Sequence, residues 1–174
     1  ALHLCIHRLH RGGFDLDLDL LYTQALEEVL ESESHIPIRW KKGVVEDRSI
    51  MMTHAEEILR GYVNHEQNRT SRLLYSEAKF RVRVSGMLLT GTIDQVRRNM
   101  DSTLELIDLK SGMQRPMKHA LQRDWQLNLY AYALRYGEIF INDSWVRILM
   151  KVHRTSIYFL RAHEIYKRDG KYGK

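Results

Sequence analysis

The sequence is poor in cysteine and proline. It holds one cysteine, Cys5, and two prolines among 174 residues. A lone cysteine can form neither an intrachain disulfide nor a cysteine-rich zinc or iron–sulfur site, so we expect no iron–sulfur cluster and interpret Cys5 as a small buried residue. No apolar run approaches the roughly 20 residues that span a bilayer, and the first residues lack the pattern of a secretion signal. We therefore expect a cytoplasmic protein with no membrane partner.

The abundant residues are those of an ordinary globular domain. Hydrophobic residues make up 44% of the chain and charged residues 28%, which is close to average usage and far from a disordered or collagen-like composition. A length of 174 residues suits a single domain, 1–174, with one substantial core. The formal net charge of +5 favours a polyanionic partner such as nucleic acid, although charge alone does not decide it.

The first 72 residues have helical periodicity. Apolar side chains recur every three or four residues in three stretches. They predict helices over residues 2–10, 18–30 and 50–62. Asp47 or Ser49 is expected to cap the third helix.

From Leu73 onward the period changes from helical to alternating. Apolar Ala78, Phe80 and Val82 alternate with charged side chains, which predicts a strand with one buried and one exposed face. Turn residues at Ser85-Gly86 and again near residue 100 separate this strand from two others. The predicted strands are 73–84, 88–97 and 103–110, and three strands in succession form a meander.

The remainder of the chain completes the predicted core. A long helix is predicted over residues 117–136 and a final strand over residues 145–152. The catalytic sheet and its helix would then occupy residues 73–152. Residues 153–174 are expected to form a C-terminal segment that ends in a solvated tail.

Two carboxylates and a lysine lie inside the predicted second and third strands. Because side chains alternate along a strand, Asp108 and Lys110 point to the same face, and Asp94 joins them if the strands are in suitable register. Mg²⁺ prefers oxygen ligands, which Asp94, Asp108 and the backbone carbonyl of Leu109 would supply. Glu77, on the polar side of the first strand, would complete the acidic cluster. The pattern predicts a Mg²⁺ site in which Mn²⁺ can substitute.

Such a site would suit phosphodiester hydrolysis. A bound metal would polarise a phosphoryl oxygen and lower the pKa of a bound water and of Lys110, which would orient that water or stabilise developing charge. A lone Asp-x-Lys pattern is common, however, and an exposed ion pair usually explains it. What favours a site here is that several separate groups each lie on the element where the chemistry needs them.

Four motifs in fixed order carry a resemblance to a known family. Glu77 is followed by Gly91-Thr92-Ile93-Asp94, then by Asp108-Leu109-Lys110-Ser111-Gly112, then by Gln126-Leu127-Asn128-Leu129-Tyr130. This set resembles the RecB-like, phage-type exonuclease branch of the PD-(D/E)XK nuclease superfamily, directly over residues 73–136. The resemblance implies an α/β fold with a restriction-endonuclease-like αβββαβ core, in which helices flank a central mixed β-sheet.

The resemblance also implies roles for individual residues. Asp94 and Asp108 match the metal-binding carboxylates, Lys110 the catalytic lysine, and Glu77 the auxiliary acid. Gln126 and Tyr130 match the Q-x-x-x-Y pair of the branch. Their i, i+4 spacing puts both on one helix face, from which they can reach Lys110, phosphate or water.

Members of the branch carry an upstream helical histidine, for which the chain has two candidates. His7 is the better match because Gly12-Gly13 and a helix follow it, and His54 is the alternative. Either could bind the metal or contact DNA, although a histidine seen alone is more often an ordinary surface or core residue. Positive side chains suited to DNA phosphates, each as readily a solvated charge, are Arg115, Lys118 and Arg123.

These observations predict a Mg²⁺-dependent deoxyribonuclease. The expected activity is that of an exonuclease in recombination, repair or phage DNA processing, in the cytoplasm of a bacterial or phage-infected cell, with a helicase or a single-strand annealing protein as a partner. A catalytically inactive nucleic-acid-binding or assembly subunit of the same fold is the alternative. A hydrolase of small phosphoesters that ignores DNA is a third.

Overall fold

The computed structural model describes residues 1–32, 44–112 and 124–169. These residues form two compact units, Ala1–Arg69 and Thr70–Lys174. No helix in these ranges has both the length and the apolar character needed to cross a membrane. The predicted phosphate contacts Arg115, Lys118 and Arg123 lie outside the described residues, and the assignment of one domain to the whole chain stays a prediction.

The first unit contains the three predicted helices. They are α1 (Leu2–Gly12), α2 (Leu18–Ser32) and α3 (Val44–Gln67). Each contributes buried apolar side chains, and the helices pack on one another. Because α3 begins at Val44, Asp47 and Ser49 lie within its first turns, so the prediction that one of them is the cap was wrong. Cys5 is buried as predicted, and burial raises the pKa of its thiol to about 11.

The second unit is built on a seven-stranded mixed sheet. The strands are β1 (Arg72–Val84), β2 (Met87–Arg98), β3 (Leu104–Lys110), β4 (Glu138–Ile141), β5 (Ser144–Arg147), β6 (Arg154–Phe159) and β7 (Glu164–Asp169). Their spatial order is β5-β4-β1-β2-β3-β6-β7. All neighbours are antiparallel except β3 and β6, which run parallel. Helix, three-stranded meander, helix and parallel strand follow one another, which confirms the predicted α/β class and αβββαβ order.

The meander forms for the reasons anticipated from the sequence. Ala78, Phe80 and Val82 are buried while the charged residues between them are partly or fully exposed. Ser85 and Gly86 both have positive φ, of 49° and 83°. Positive φ at both central residues is the geometry of a two-residue turn that matches the twist of antiparallel strands.

Helix α4 (Trp125–Tyr136) covers the meander on its apolar side. Leu127, Ala131 and Leu134 of α4 belong to the same buried cluster as Phe80 and Val82 of β1. Burying a side chain of this size contributes on the order of 1.5–3 kcal/mol. The helix and the sheet are therefore held in one fixed arrangement, which matters because both carry candidate site residues.

Three predictions for the second half of the chain were wrong. The long helix was placed over residues 117–136, but Asp124 has an extended backbone and caps a helix that begins at Trp125. The strand predicted over residues 145–152 ends at Arg147. Residues 154–159 and 164–169, assigned to a C-terminal segment and a solvated tail, are the paired strands β6 and β7.

Candidate active site

The candidate site lies where the ladder between β2 and β3 ends. The last paired residues are Gln95 and Ile107. Beyond this pair, a side chain replaces a backbone carbonyl as the acceptor between the two strands. Asp94 Oδ2 accepts a hydrogen bond of 2.6 Å from the backbone N–H of Leu109. The register therefore brings Asp94 next to the Asp108-Leu109-Lys110 segment. This is the register that the predicted site needs if Asp94 is to join Asp108 and Lys110.

Asp108 and Lys110 form the centre of this arrangement. Lys110 Nζ lies 2.8 Å from Asp108 Oδ2. The Asp108 side chain is almost fully enclosed at 2% exposure, whereas that of Lys110 is 39% exposed. Among the described residues no donor makes a well-directed hydrogen bond to Asp108 Oδ2, so the contact with Lys110 is an ion pair. One oxygen of a buried carboxylate thus has unused capacity to accept.

Helix α4 places two more polar groups beside the ion pair. Lys110 Nζ donates a hydrogen bond of 3.0 Å to Gln126 Oε1, and Gln126 Nε2 donates one of 2.7 Å to Tyr130 Oη. The Phe80 ring packs edge-on against the Tyr130 ring, with 5.5 Å between centroids. The i, i+4 pair predicted on one helix face thus forms a chain of contacts that ends at Lys110.

Asp124 is a site residue that sequence analysis missed. Its Oδ1 accepts hydrogen bonds from the backbone N–H groups of Gln126 and Leu127, at 2.9 and 3.1 Å, and so caps α4. Its negative charge also acts on Asp108 and Lys110. An aspartate directly before an amphipathic stretch is the usual signal of a helix start, and it would have located this end of α4.

Glu77 approaches the site through an unusual backbone conformation. A carboxylate oxygen of Glu77 and one of Asp94 lie within 4.8 Å of each other. Glu77 has a φ of 51° within a β-strand. A non-glycine residue in the left-handed region costs on the order of 1–3 kcal/mol, and such residues concentrate at functional sites. The strain fits the auxiliary acidic role inferred for Glu77.

The direction of the Leu109 carbonyl follows from the backbone contacts on either side. Lys110 O accepts a hydrogen bond of 3.0 Å from Leu160 N, which follows β6, so the Lys110 carbonyl faces β6. Successive carbonyls along a strand point to opposite sides. The Leu109 carbonyl therefore faces the β2 side, where Asp94 lies.

The charges of the site shift the ionisation of its members. Burial, together with the charges of Asp94 and Asp124, raises the pKa of Asp108 to about 6, although contact with Lys110 opposes this rise. Burial alone would lower the pKa of Lys110, but the close contact with Asp108 and its charge, followed by the charges of Asp124 and Asp94, raise it overall. The lowering of the Lys110 pKa by a bound cation would oppose this rise and stays a prediction.

The residues present fit a divalent cation. Asp94, Asp108 and Glu77 supply carboxylate oxygens, the ligand type that hard divalent ions prefer. The mutual repulsion of Asp94 and Asp108 contributes to the raised pKa of Asp108, and a cation placed between the carboxylates would relieve it. Asp108 has an oxygen available to bind such a cation, and the Leu109 carbonyl faces the side on which Asp94 lies. Both features fit the predicted set of metal ligands.

The glycine of the Gly91-Thr92-Ile93-Asp94 motif has a packing reason. Gly91 pairs with Phe80 across β1 and β2. A Cβ at position 91 would lie 2.8 Å from Cε1 of the Phe80 ring, closer than carbon atoms approach one another. Phe80 is 1% exposed and also contacts Tyr130, so the ring has little room to withdraw.

The two candidate histidines belong to the first unit. His7 lies on α1, and His54 is exposed on α3. The choice between them stays a prediction. The residues that the structure does bring together, within the second unit, are Glu77, Asp94, Asp108, Lys110, Gln126 and Tyr130.

Comparison with known proteins identifies the family. None of the curated proteins compared with the chain matches it. The family model for the PD-(D/E)XK nuclease superfamily matches residues 1–157, which is most of the 174-residue chain and includes all of the candidate site. The chain therefore belongs to the PD-(D/E)XK nuclease superfamily, whose members are nucleases that use divalent metal ions.

Proposed function

We propose that this nuclease hydrolyses phosphodiester bonds in DNA with Mg²⁺, for which Mn²⁺ can substitute, and that it acts as an exonuclease. The observation that carries the proposal is the convergence of Asp108, Lys110 and Gln126 within hydrogen-bonding or ion-pair distance of one another. The resemblance of the motifs to the RecB-like branch supports exonuclease action in recombination, repair or phage DNA processing. A helicase or a single-strand annealing protein is the partner that such a role would involve.

Asp94 and Asp108 would hold the metal, with Glu77 and the Leu109 carbonyl as further ligands. When bound, the ion polarises the phosphoryl oxygen and lowers the pKa of a bound water. Asp108 is ionised in most molecules only above its pKa of about 6. Because a carboxylate must be deprotonated to bind a cation, we expect metal affinity to rise with pH through this value.

Lys110 would act as a charged donor. Contact with Asp108 raises the pKa of Lys110 and so favours the ammonium form, which can orient water or stabilise negative charge that develops on the phosphate. Gln126 holds the ammonium through its carbonyl oxygen. Tyr130 accepts from the other end of the same amide, which fixes the amide orientation. These contacts pre-organise Lys110, and a pre-organised donor contributes most to stabilising a transition state.

DNA as the substrate is supported by the net charge of +5, which favours association with a polyanion. The decisive test is hydrolysis of end-labelled single- and double-stranded DNA with Mg²⁺ or Mn²⁺. We expect Asp108→Asn and Lys110→Met each to slow cleavage by about 10²-fold or more, the typical effect of removing one group that stabilises the transition state. Products of one or a few nucleotides would support exonuclease action.

Matched controls separate site effects from general changes of charge. Asp143→Asn and Lys79→Met remove an exposed acid and an exposed lysine of the same unit, and both should cleave like the parent. Cleavage at internal positions, without release of nucleotides from the ends, would show that the protein is an endonuclease and not an exonuclease. A folded parent that binds DNA without cutting it would favour the inactive binding subunit, and hydrolysis of bis(p-nitrophenyl) phosphate alone would favour a small-phosphoester hydrolase.

A further inference from the structure

Helix α4 carries a row of exposed aromatic side chains along one side. Trp125, Tyr132 and Tyr136 are 74%, 38% and 44% exposed. Trp125 and Tyr132 are about two helical turns apart, and Tyr132 and Tyr136 are about one turn apart, so the three side chains lie along nearly the same line of the helix. Burying aromatic surface is strongly favourable, and aromatic side chains exposed in a row are typical of a binding surface.

The two tyrosines border a groove of about 210 Å³. Their rings lie 4.8 Å apart, and the Arg135 guanidinium lies 5.2 Å from the centre of the Tyr136 ring. Lys151 also lines this groove. The segment that carries Lys151 is fixed to α4 by a backbone hydrogen bond of 2.8 Å from Met150 to Leu134. The groove is thus a fixed feature with aromatic and cationic walls.

A second, wider groove of about 410 Å³ continues from the same tyrosine. Tyr136 lines both grooves, and the second one contains Arg83 and Arg147. The acid that lines it is Glu138, which pairs with Arg81. Glu138 is also the cross-strand neighbour of Arg147. The three arginines that line this groove therefore share one lining acid, which leaves net positive charge beside the exposed rings.

We propose that these two grooves form a binding site for single-stranded nucleic acid, separate from the candidate active site. Bases would stack on Tyr132 and Tyr136. Phosphates would pair with the four flanking cations, Arg83, Arg135, Arg147 and Lys151. The inference rests on the proposed function in one respect, because the ligand belongs to the same chemical class as the proposed substrate.

The chemistry of the surface favours a single strand over other ligands. Exposed aromatic rings interleaved with cations are the means by which proteins hold unpaired bases. A duplex hides the faces of its bases and would use the cations alone. Lysine is depleted at interfaces between proteins, whereas Lys151 lines this groove beside the two tyrosines.

The site can be altered without touching the catalytic contacts. Gln126 and Tyr130 project from a different side of α4, because they are offset by about 100° or more from the line through Trp125 and Tyr132. No described hydrogen bond or ion pair joins Tyr132 or Tyr136 to Lys110. Substitutions in the groove therefore test binding by itself.

The test measures binding of a fluorescein-labelled oligothymidylate of about 15 nucleotides in EDTA, by anisotropy. The double variant Tyr132→Leu/Tyr136→Leu should bind about 100-fold more weakly, since it removes two stacking rings and each stacked base contributes roughly tenfold. The double variant Tyr132→Phe/Tyr136→Phe keeps the rings and should bind like the parent. Affinity for a blunt duplex should be the same in all three proteins.

A second variant, which removes two of the cations and keeps the tyrosines, gives an independent test. Its readout is the salt dependence of binding, and it does not depend on the folding of the leucine variant. Arg135→Gln/Lys151→Gln should reduce the slope of log affinity against log salt by about 1.4, the value for two phosphate contacts on a single strand. Arg98→Gln, an exposed arginine on β2, should leave the slope unchanged.

Three results would overturn the inference. They are a parent that does not bind the oligonucleotide, a folded leucine variant that binds it like the parent, and a loss that is equal for single strand and duplex. The second result would reassign the surface to a protein partner. Cleavage of DNA by the parent is measured separately with Mg²⁺, so the proposed nuclease activity can stand when this site fails.

Discussion

Asp108→Asn should stabilise the metal-free protein at neutral and alkaline pH. The folded state raises the pKa of Asp108 from 3.8 to about 6, so the folded protein holds this proton more tightly than the unfolded chain does. The stability from the proton is fully present below pH 3.8 and is lost as the pH rises through about 6. At pH 8 the ionised carboxylate therefore costs about 3 kcal/mol, because a tenfold change in an acid dissociation constant corresponds to about 1.4 kcal/mol.

The assay is urea unfolding in EDTA at pH 5 and pH 8. Asparagine resembles protonated aspartate in shape, so the variant should be more stable than the parent by up to about 3 kcal/mol at pH 8 and by about half of that at pH 5. Asp143→Asn, which alters an exposed acid, should leave the free energy of unfolding unchanged at both pH values. Added Mg²⁺ should stabilise the parent and not Asp108→Asn, because binding to the folded state alone raises stability.

A variant less stable than the parent at pH 8 in EDTA would refute this reasoning. It would mean that the ion pair with Lys110, 2.8 Å away, outweighs the burial of the carboxylate. A gain of the same size at pH 5 and pH 8 would also refute it, since the effect would then not come from ionisation.

Three further substitutions test how the site is supported. Asp124→Ala removes the cap of α4 and should lower the free energy of unfolding by about 1 kcal/mol in urea; a neutral result would mean that packing alone fixes this helix end. Tyr130→Phe removes the hydroxyl that holds Gln126, and the loss of positioning should lower kcat by about tenfold or more with little change in KM; an unchanged kcat would exclude the positioning role. Gly91→Ala forces a methyl group against the buried ring of Phe80 and should destabilise the protein by about 1–3 kcal/mol in thermal unfolding, so an unchanged Tm would show that the ring can move.

The meander and its polar residues were predictable because local rules decide them. Alternating side chains defined β1, and Ser85-Gly86 allowed a tight turn. Asp108 and Lys110, two residues apart on one strand, had to share a face. The family motifs then directed attention to Asp94, whose contact with Leu109 the sequence could not supply, because it depends on where the ladder between two strands ends.

The second half of the sheet was not predictable by the same means. β6 is buried along nearly its whole length, so it has no alternation of apolar and polar residues to reveal a strand. β7 contains charged residues from Glu164 to Asp169, which are typical of a solvated tail. It forms a strand because β6 provides a pairing edge, and this tertiary effect leaves no local pattern in the sequence.

The parallel pairing of β3 with β6 also affects when, during synthesis and folding, the candidate active site is completed. The meander closes through short turns, whereas Glu105 of β3 pairs with Arg154, 49 residues later in the chain. Contacts between distant segments form late, because a long loop must be closed first. A growing polypeptide therefore contains Asp94, Asp108 and Lys110 well before β6, which pairs with β3, has been synthesised. We expect the nuclease to remain inactive until β6 has docked.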